Sequence, residues 1–118
     1  MKNHESIVLK ACSEFTRLVT DAVSQQASGL VWIDVSGKDG HLAPPKTGVE
    51  SRLNLTNERS TTQNVSESHT RLKLALQLLK ESLELMRSQS FTGSVRISLK
   101  MSDGNAGDPC RVVTTYHR

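Results

Sequence analysis

The stretch SESHTRLKLALQLLKESLELMRSQ, residues 66–89, decides the fold of this chain, because it contains neither Gly nor Pro and has the periodicity of one long helix. Its Leu, Lys, Glu, Gln and Ala residues favour the same structure. Side chains three or four positions apart share one side of a helix, and we expect the main apolar stripe to face the core. That stripe comprises Leu72, Leu76, Leu79, Leu83 and Met86.

A second apolar stripe runs along the same helix through Leu74, Leu78 and Leu85. At about 100° per residue it lies nearly opposite the first stripe, so something other than the sheet has to cover it. The favoured interpretation is that the N-terminal helix covers it. The alternative is a partner chain, most simply a second copy in a homodimer, because an exposed apolar patch marks an interface.

The bulk composition indicates one domain spanning residues 1–118, since 118 residues suffice for one core. Hydrophobic residues make up 36% of the chain and aromatic residues are few, so the core has to be aliphatic. The formal net charge is +3, which permits a nucleic-acid partner without requiring one.

The N-terminal residues lack the pattern of a secretory signal, because Lys10 and Glu14 interrupt their apolar run. No stretch approaches the roughly 18 apolar residues of a membrane span. We therefore expect a cytoplasmic protein with no membrane partner. In that compartment Cys12 and Cys110 are most simply reduced.

Two regular elements are expected in the first part of the chain. The apolar band between residues 3 and 28 predicts a helix that ends at Ser28-Gly29. Residues 30–36 predict a strand that is covered on both faces or lies in the middle of the sheet, because the run is almost continuously apolar. Alternation places Ile33 and its neighbours two positions away on one face of that strand, and Trp32 and Asp34 on the other.

The segment from about residue 37 to 65 is polar and contains Pro44-Pro45, which excludes a helix around the pair. We expect a long loop there, which is either functional or mobile, and mobility is the favoured interpretation. A short alternation between residues 51 and 56 predicts an edge strand within it.

The C-terminal part predicts a β-hairpin. Residues 94–101 alternate without interruption, residues 102–109 are almost all turn formers, and residues 110–117 return as a second strand. The predicted fold class is therefore α+β, with two helices packed on one face of a small antiparallel or mixed sheet of three to four strands. No internal repeat is evident.

Catalytic and metal sites are not indicated. The four histidines are scattered, and none has the spacing to Cys, Asp or Glu that metal ligands have. Asp34 is a carboxylate within an apolar strand, which suits a general base, but an Asp on an exposed sheet face is the favoured interpretation. We therefore predict that the protein is not an enzyme and has no cofactor.

The predicted partner surface is the sheet face that the helices leave open, the exposed part of the central helix, or the loop at residues 37–65. The candidate partner-binding residues of the open sheet face are Trp32, Asp34, Arg96, Lys100 and, from the last strand, Arg111. An aromatic ring among cations resembles the surfaces that bind single-stranded nucleic acid, but it equally suits a protein hot spot. One aromatic ring is too few for base stacking, and Asp34 repels phosphate.

The predicted function is therefore a small, non-catalytic protein-binding module. Short chains without motifs are often inhibitors or accessory proteins, and a phage or mobile-element protein that occupies a host protein surface is the form we expect. The alternative is a nucleic-acid-binding protein that uses the basic open sheet face.

Overall fold

The computed structural model describes residues 3–51 and 65–116, and its class is α+β. Two long helices are accompanied by one antiparallel sheet. In chain order the elements are α1 (Asn3–Ser24), β1 (Gly29–Lys38), β2 (His41–Leu42), β3 (Lys46–Ser51), α2 (Val65–Ser88), β4 (Gly93–Ser102), β5 (Asn105–Ala106) and β6 (Cys110–Thr115).

The sheet has six strands among the described residues, so the predicted size of three to four strands is wrong. The strands nevertheless run along only four lines, because β2 and β3 follow one another beside β1, and β5 and β6 follow one another beside β4. Each break contains proline, Pro44-Pro45 or Pro109, and proline has no N–H to donate to a ladder. The two long strands β1 and β4 pair at the centre.

Helix α2 confirms the prediction for residues 66–89 to within one residue at each end. Helix α1 ends at Ser24, four residues earlier than predicted. Its end is set by Gln26, which has a φ of +52°, and by the Ala27 N–H, which donates to the Ala22 carbonyl at 2.9 Å. That bond closes the helix as a Schellman cap does, so the chain leaves α1 before the predicted stop.

The core lies between the helices and one face of the sheet. Alternate residues of β1 and β4 point into it, and the predicted inward positions of both strands are confirmed. The fully buried side chains from the two helices include Phe15, Leu79 and Leu83. The core is almost wholly aliphatic, with Phe15 its one fully buried aromatic side chain among the described residues.

The described part of the segment at residues 37–65 is not the long loop that we predicted. Residues up to 51 contain the turn at Asp39-Gly40 and the strands β2 and β3, both paired with β1. The short edge strand predicted at residues 51–56 falls almost entirely outside the described residues, as do the remaining positions to 64.

The chain contains an internal repeat that the sequence did not reveal. Each half is a helix followed by a long strand, a short strand and an outer strand, and every strand of the second half begins 64 positions after its counterpart. The left-handed backbone positions repeat with the same spacing, including Asp39 and Asp103. The β1–β4 register has Gly29 opposite Met101 and Gly37 opposite Gly93, so exchanging the halves leaves Ile33 opposite Ile97. A pseudo-twofold axis therefore passes between these two isoleucines.

The two halves are interlocked by their tight turns. The N–H of Asp39 donates to the hydroxyl of Thr92, and the N–H of Asp103 donates to the hydroxyl of Ser28, both at 2.9 Å. The next residue repeats the exchange: Gly40 donates to the Phe91 carbonyl at 3.0 Å, and its counterpart donates to the Ala27 carbonyl at 2.9 Å. Each turn is thus hydrogen-bonded to the helix-to-strand connection of the other half.

Candidate interaction surfaces

The sheet face turned away from the helices, here called the open face, carries four of the predicted partner-binding residues. Trp32 and Asp34 lie on β1 at positions that alternate with buried ones, and Arg96 and Lys100 occupy the corresponding positions on β4. The register places Asp34 directly opposite Arg96. The structure therefore brings these predicted residues onto one face.

Trp32, Arg96 and Asp34 form a compact cluster in the middle of the open face. The guanidinium carbon of Arg96 lies 4.2 Å from the centroid of the Trp32 ring, within range of a cation–π interaction. The Arg96 Nε also donates to Asp34 Oδ2 at 3.2 Å. The ring lies against Gly48 of β3, where an added Cβ would collide with it. The ring and both charges already have partners within the chain.

Arg111 does not lie on the open face, so that part of the prediction is wrong. It pairs with the buried Ile97, which places its side chain on the helix side of the sheet. There its Nη1 donates to the hydroxyl of Ser82 on α2 at 3.4 Å. The open-face positions of β6 are instead Cys110, Val112 and Thr114. Whether any of the five predicted residues binds a partner stays a prediction.

The second stripe of α2 is left uncovered by α1, against the favoured interpretation. Leu74 is 47% exposed and Leu85 is 51% exposed, while Leu78 is partly buried. Residues of α2 that meet α1 are on another side of the helix, as Glu84 and its contact with His4 show. At its Leu85 end the stripe adjoins β6, because Leu85 lines a groove together with Phe91 and Val113.

The outer edge of β6 adjoins this stripe. All six residues of β6 are exposed, and among the described residues β6 pairs only with β4. We call Leu74, Leu78, Leu85, Val113 and the free backbone edge of β6 the apolar flank. The exposed fraction of Val113, 51%, shows that the sheet side of this flank is as open as its helix side.

The equivalent flank of the first half has the opposite character. The row of α2 that contains the second stripe reads Leu74, Leu78, Glu81 and Leu85, and the residues 64 positions earlier on α1 are Lys10, Glu14, Arg17 and Asp21. Arg17 and Asp21 form an ion pair at 3.6 Å, as side chains on a solvated helix face do. The same structural position is therefore charged in one half and leucine-rich in the other.

A metal site, a thiol nucleophile and a membrane span place separate requirements on the metal-ligating groups, the Cys12 thiol and the apolar length of the helices. Within residues 3–51 and 65–116 no three His, Cys, Asp or Glu side chains are placed to hold a metal ion. The Cys12 thiol is partly buried, and burial raises its pKa, whereas activation of a thiol nucleophile requires a lowered pKa. Neither helix of the described chain is long and apolar enough to cross a bilayer.

Comparison with known proteins identifies no relative: no family model, curated protein or solved structure matches this chain.

Proposed function

We propose that this chain is a non-catalytic protein-binding module and that it binds through the apolar flank. The observation that carries the proposal is the contrast between the two equivalent flanks. An α1 row of Lys10, Glu14, Arg17 and Asp21 shows that this fold places no demand for apolar residues there. Leu78 packs partly against the core, but the half-exposed Leu74 and Leu85 at the matching positions of α2 are not explained by it.

The chemistry of the apolar flank favours a protein over a nucleic acid. Leucine and valine side chains gain free energy when another apolar surface removes them from water, at roughly 25 cal/mol for each Å² buried. Phosphate contacts need cations instead, and Arg111 is the one cation of the groove lining. The adjoining free strand edge adds unpaired backbone groups, which proteins use to bind another strand.

The alternative function, nucleic-acid binding at the open face, has less support. Its best cation, Arg96, is engaged by Asp34, and the Trp32 ring lies between Gly48 and Arg96. A base would have to displace Arg96 before it stacked on the ring. Lys100 remains an exposed cation on this face.

Capture on an immobilised bait tests the proposed function. Wild-type protein should retain a protein partner, either a host protein or a tagged second copy. The double variant Leu74→Lys/Leu85→Asp, which installs the residues of the equivalent α1 positions, should lose it. The matched control Lys10→Asp/Asp21→Lys alters the other flank and should retain it. Equal capture by both variants would contradict the role of the apolar flank.

Nucleic-acid binding is tested separately with a fluorescent single-stranded oligonucleotide at low salt. If the alternative holds, binding weakens with added salt and with Arg96→Glu or Lys100→Glu. Absence of binding at low salt eliminates it. An inhibitory action on a host protein and an origin in a phage or mobile element stay predictions.

A further inference from the structure

The backbone of β6 directs one row of hydrogen-bonding groups away from the sheet. In antiparallel ladders, residue pairs that exchange hydrogen bonds alternate with pairs that do not. The Tyr116 N–H donates to the Thr92 carbonyl at 3.3 Å, which fixes the phase of the β4–β6 ladder. Every second residue from Tyr116 therefore bonds β4. The N–H and C=O groups of the intervening residues, Arg111, Val113 and Thr115, point away from the sheet.

We propose that a second copy of this chain occupies the apolar flank, with β6 of each copy paired antiparallel across a twofold axis at Val113. This inference rests on the proposed function and names its partner. In this register Val113 lies opposite the partner's Val113, and Arg111 lies opposite the partner's Thr115. All the outward N–H and C=O groups of β6 then find partners.

A register shifted by one residue would leave more backbone groups of β6 without hydrogen bonds. If the axis passed through Val112, Thr115 would face the partner's Pro109, which has no N–H to donate. The side chains also favour the register with the axis at Val113. That axis brings the two Val113 side chains together, each beside Leu85 of its own copy. Apolar groups of both copies would thus cover each other on the helix side of the sheet.

Charge on the apolar flank is compatible with self-association. The row of leucines contains one anion, Glu81, and the groove beside it one cation, Arg111. In a twofold dimer each copy would therefore contribute one anion, Glu81, and one cation, Arg111, to the interface, so the interface would carry no net charge from these residues. The two Arg111 residues lie four positions apart along the paired strands, or about 13 Å at the usual rise per residue.

The chain already contains a junction of this kind. At its centre β1 and β4 pair antiparallel around the pseudo-twofold axis, and both helices lie on the same face of the sheet. An axis perpendicular to the sheet at β6 would extend that arrangement, with four helices on one face of a continuous sheet. The opposite edge, β3, carries Lys46 and Glu50, and charged side chains of this kind block edge pairing. Assembly should therefore stop at two copies.

Sedimentation velocity on the wild-type protein should show a species with twice the monomer mass. Val113→Pro should convert it to a monomer without unfolding it, because the N–H that is lost points away from β4. Val112→Pro is the matched control for folding, since it removes an N–H that bonds β4 and should reduce the melting temperature. A monomeric wild type, or an open series of larger species, would overturn the proposal.

The register is tested by cross-linking on a Cys110→Ser background. Val112 lies opposite the partner's Thr114 as a pair without hydrogen bonds, with about 4.5 Å between Cα atoms, a separation that a disulfide spans. A mixture of Val112→Cys and Thr114→Cys proteins should therefore form a mixed disulfide dimer on mild oxidation, and each variant alone should not. Self-linking of Val112→Cys would indicate the axis at Val112 and overturn the proposed register.

The failure of this inference and of the proposed function are distinguishable. If the wild type is monomeric but capture of a different protein depends on Leu74 and Leu85, the apolar flank binds a foreign partner and the homodimer is wrong. If the protein is monomeric and both flank variants capture equally, the proposed function is wrong as well.

Discussion

The first half of the molecule, residues 3–51, and the second, residues 65–116, share the order of their elements and the spacing of their left-handed residues, but their outer surfaces differ in character. Their helices bury equivalent residues: Ala11 corresponds to Ala75, and Phe15 to Leu79. Their turns hold the same left-handed conformations. Their outer helix rows share no such likeness, being charged on α1 and leucine-rich on α2. Positions that the core and the turns constrain are alike in the two halves, whereas the outer helix rows, which the core does not constrain in α1, differ.

The largest effect is expected from the equivalent core residues Phe15 and Leu79, both fully buried. Phe15→Ala should lower the free energy of unfolding by about 3–5 kcal/mol and Leu79→Ala by about 2–5 kcal/mol, because each leaves a cavity. Urea unfolding followed by circular dichroism measures both losses. Leu9→Ala, at a position that is 71% exposed, should change stability by less than about 0.5 kcal/mol. A loss at Phe15 as small as that at Leu9 would show that the halves do not share one core.

The turn glycines should give the next largest effect. Gly40 has a φ of +82°, and a Cβ there would lie 3.0 Å from the Arg87 carbonyl oxygen. Gly40→Ala should therefore cost about 1–3 kcal/mol. Gly104, with a φ of +81°, should respond similarly if the halves are equivalent. Thermal unfolding compares the two, and Gly107→Ala, without a left-handed φ, should cost less.

The Trp32 cluster breaks the equivalence of the halves on the open face, and Gly48→Ala tests it. A Cβ at Gly48 would collide with the Trp32 ring, which must then rise from β3. We expect a loss of about 1–2 kcal/mol, near the low end for overpacking because the ring is only partly buried. Emission of the single tryptophan should shift to longer wavelength and acrylamide should quench it more. Val112→Ala, at the equivalent position, should leave the emission unchanged; an unchanged spectrum for Gly48→Ala would disprove the packing.

The smallest effect is expected from the hydroxyls that interlock the halves. Ser28→Ala and Thr92→Val each remove one acceptor for a turn N–H, at a cost of about 0.5–1.5 kcal/mol. The Ser28 bond is partly buried and the Thr92 bond is exposed, so Ser28→Ala should cost more. Urea unfolding of the single and double variants measures this. A larger loss for Thr92→Val would mean that the exposed turn is the more important of the two.

Sequence periodicity predicted the elements that depend on an apolar face. The α2 leucines and the alternation of β4 identify their elements, because burial on one side imposes a period on the sequence. The second stripe of α2 was also detected. The element that lies beside this stripe could not be predicted. Helical periodicity shows that two faces of α2 are apolar, but it does not show on which side the neighbouring helix packs.

The prediction placed Arg111 on the wrong face of the sheet because of a local irregularity between β5 and β6. Three steps along β4 separate Met101 from Ser98, whereas four steps separate their partners Ala106 and Cys110. The extra residue on the return side is a β-bulge, which moves every following side chain to the other face. Gly107 and Pro109 are consistent with such an irregularity, but they do not specify how many residues it contains.

The internal repeat escaped detection because the fold constrains residue type more than identity. Turn residues such as Asp39-Gly40 and Asp103-Gly104 are repeated letter by letter, since a left-handed φ restricts the choice. Core positions only have to be apolar and of suitable volume, so Phe15 and Leu79 serve equally well. Surface positions are free to diverge, and that divergence dilutes the similarity between halves.

Joining the two equivalent units in one chain has a genetic consequence. In a pair of identical subunits, every substitution occurs twice, so an apolar row acquired for binding would occur at both ends of the sheet and invite growth into fibres. A tandem arrangement lets a mutation alter one unit alone. A chain of this kind can therefore keep charged residues on the outer row of α1 while the outer row of α2 becomes rich in leucine.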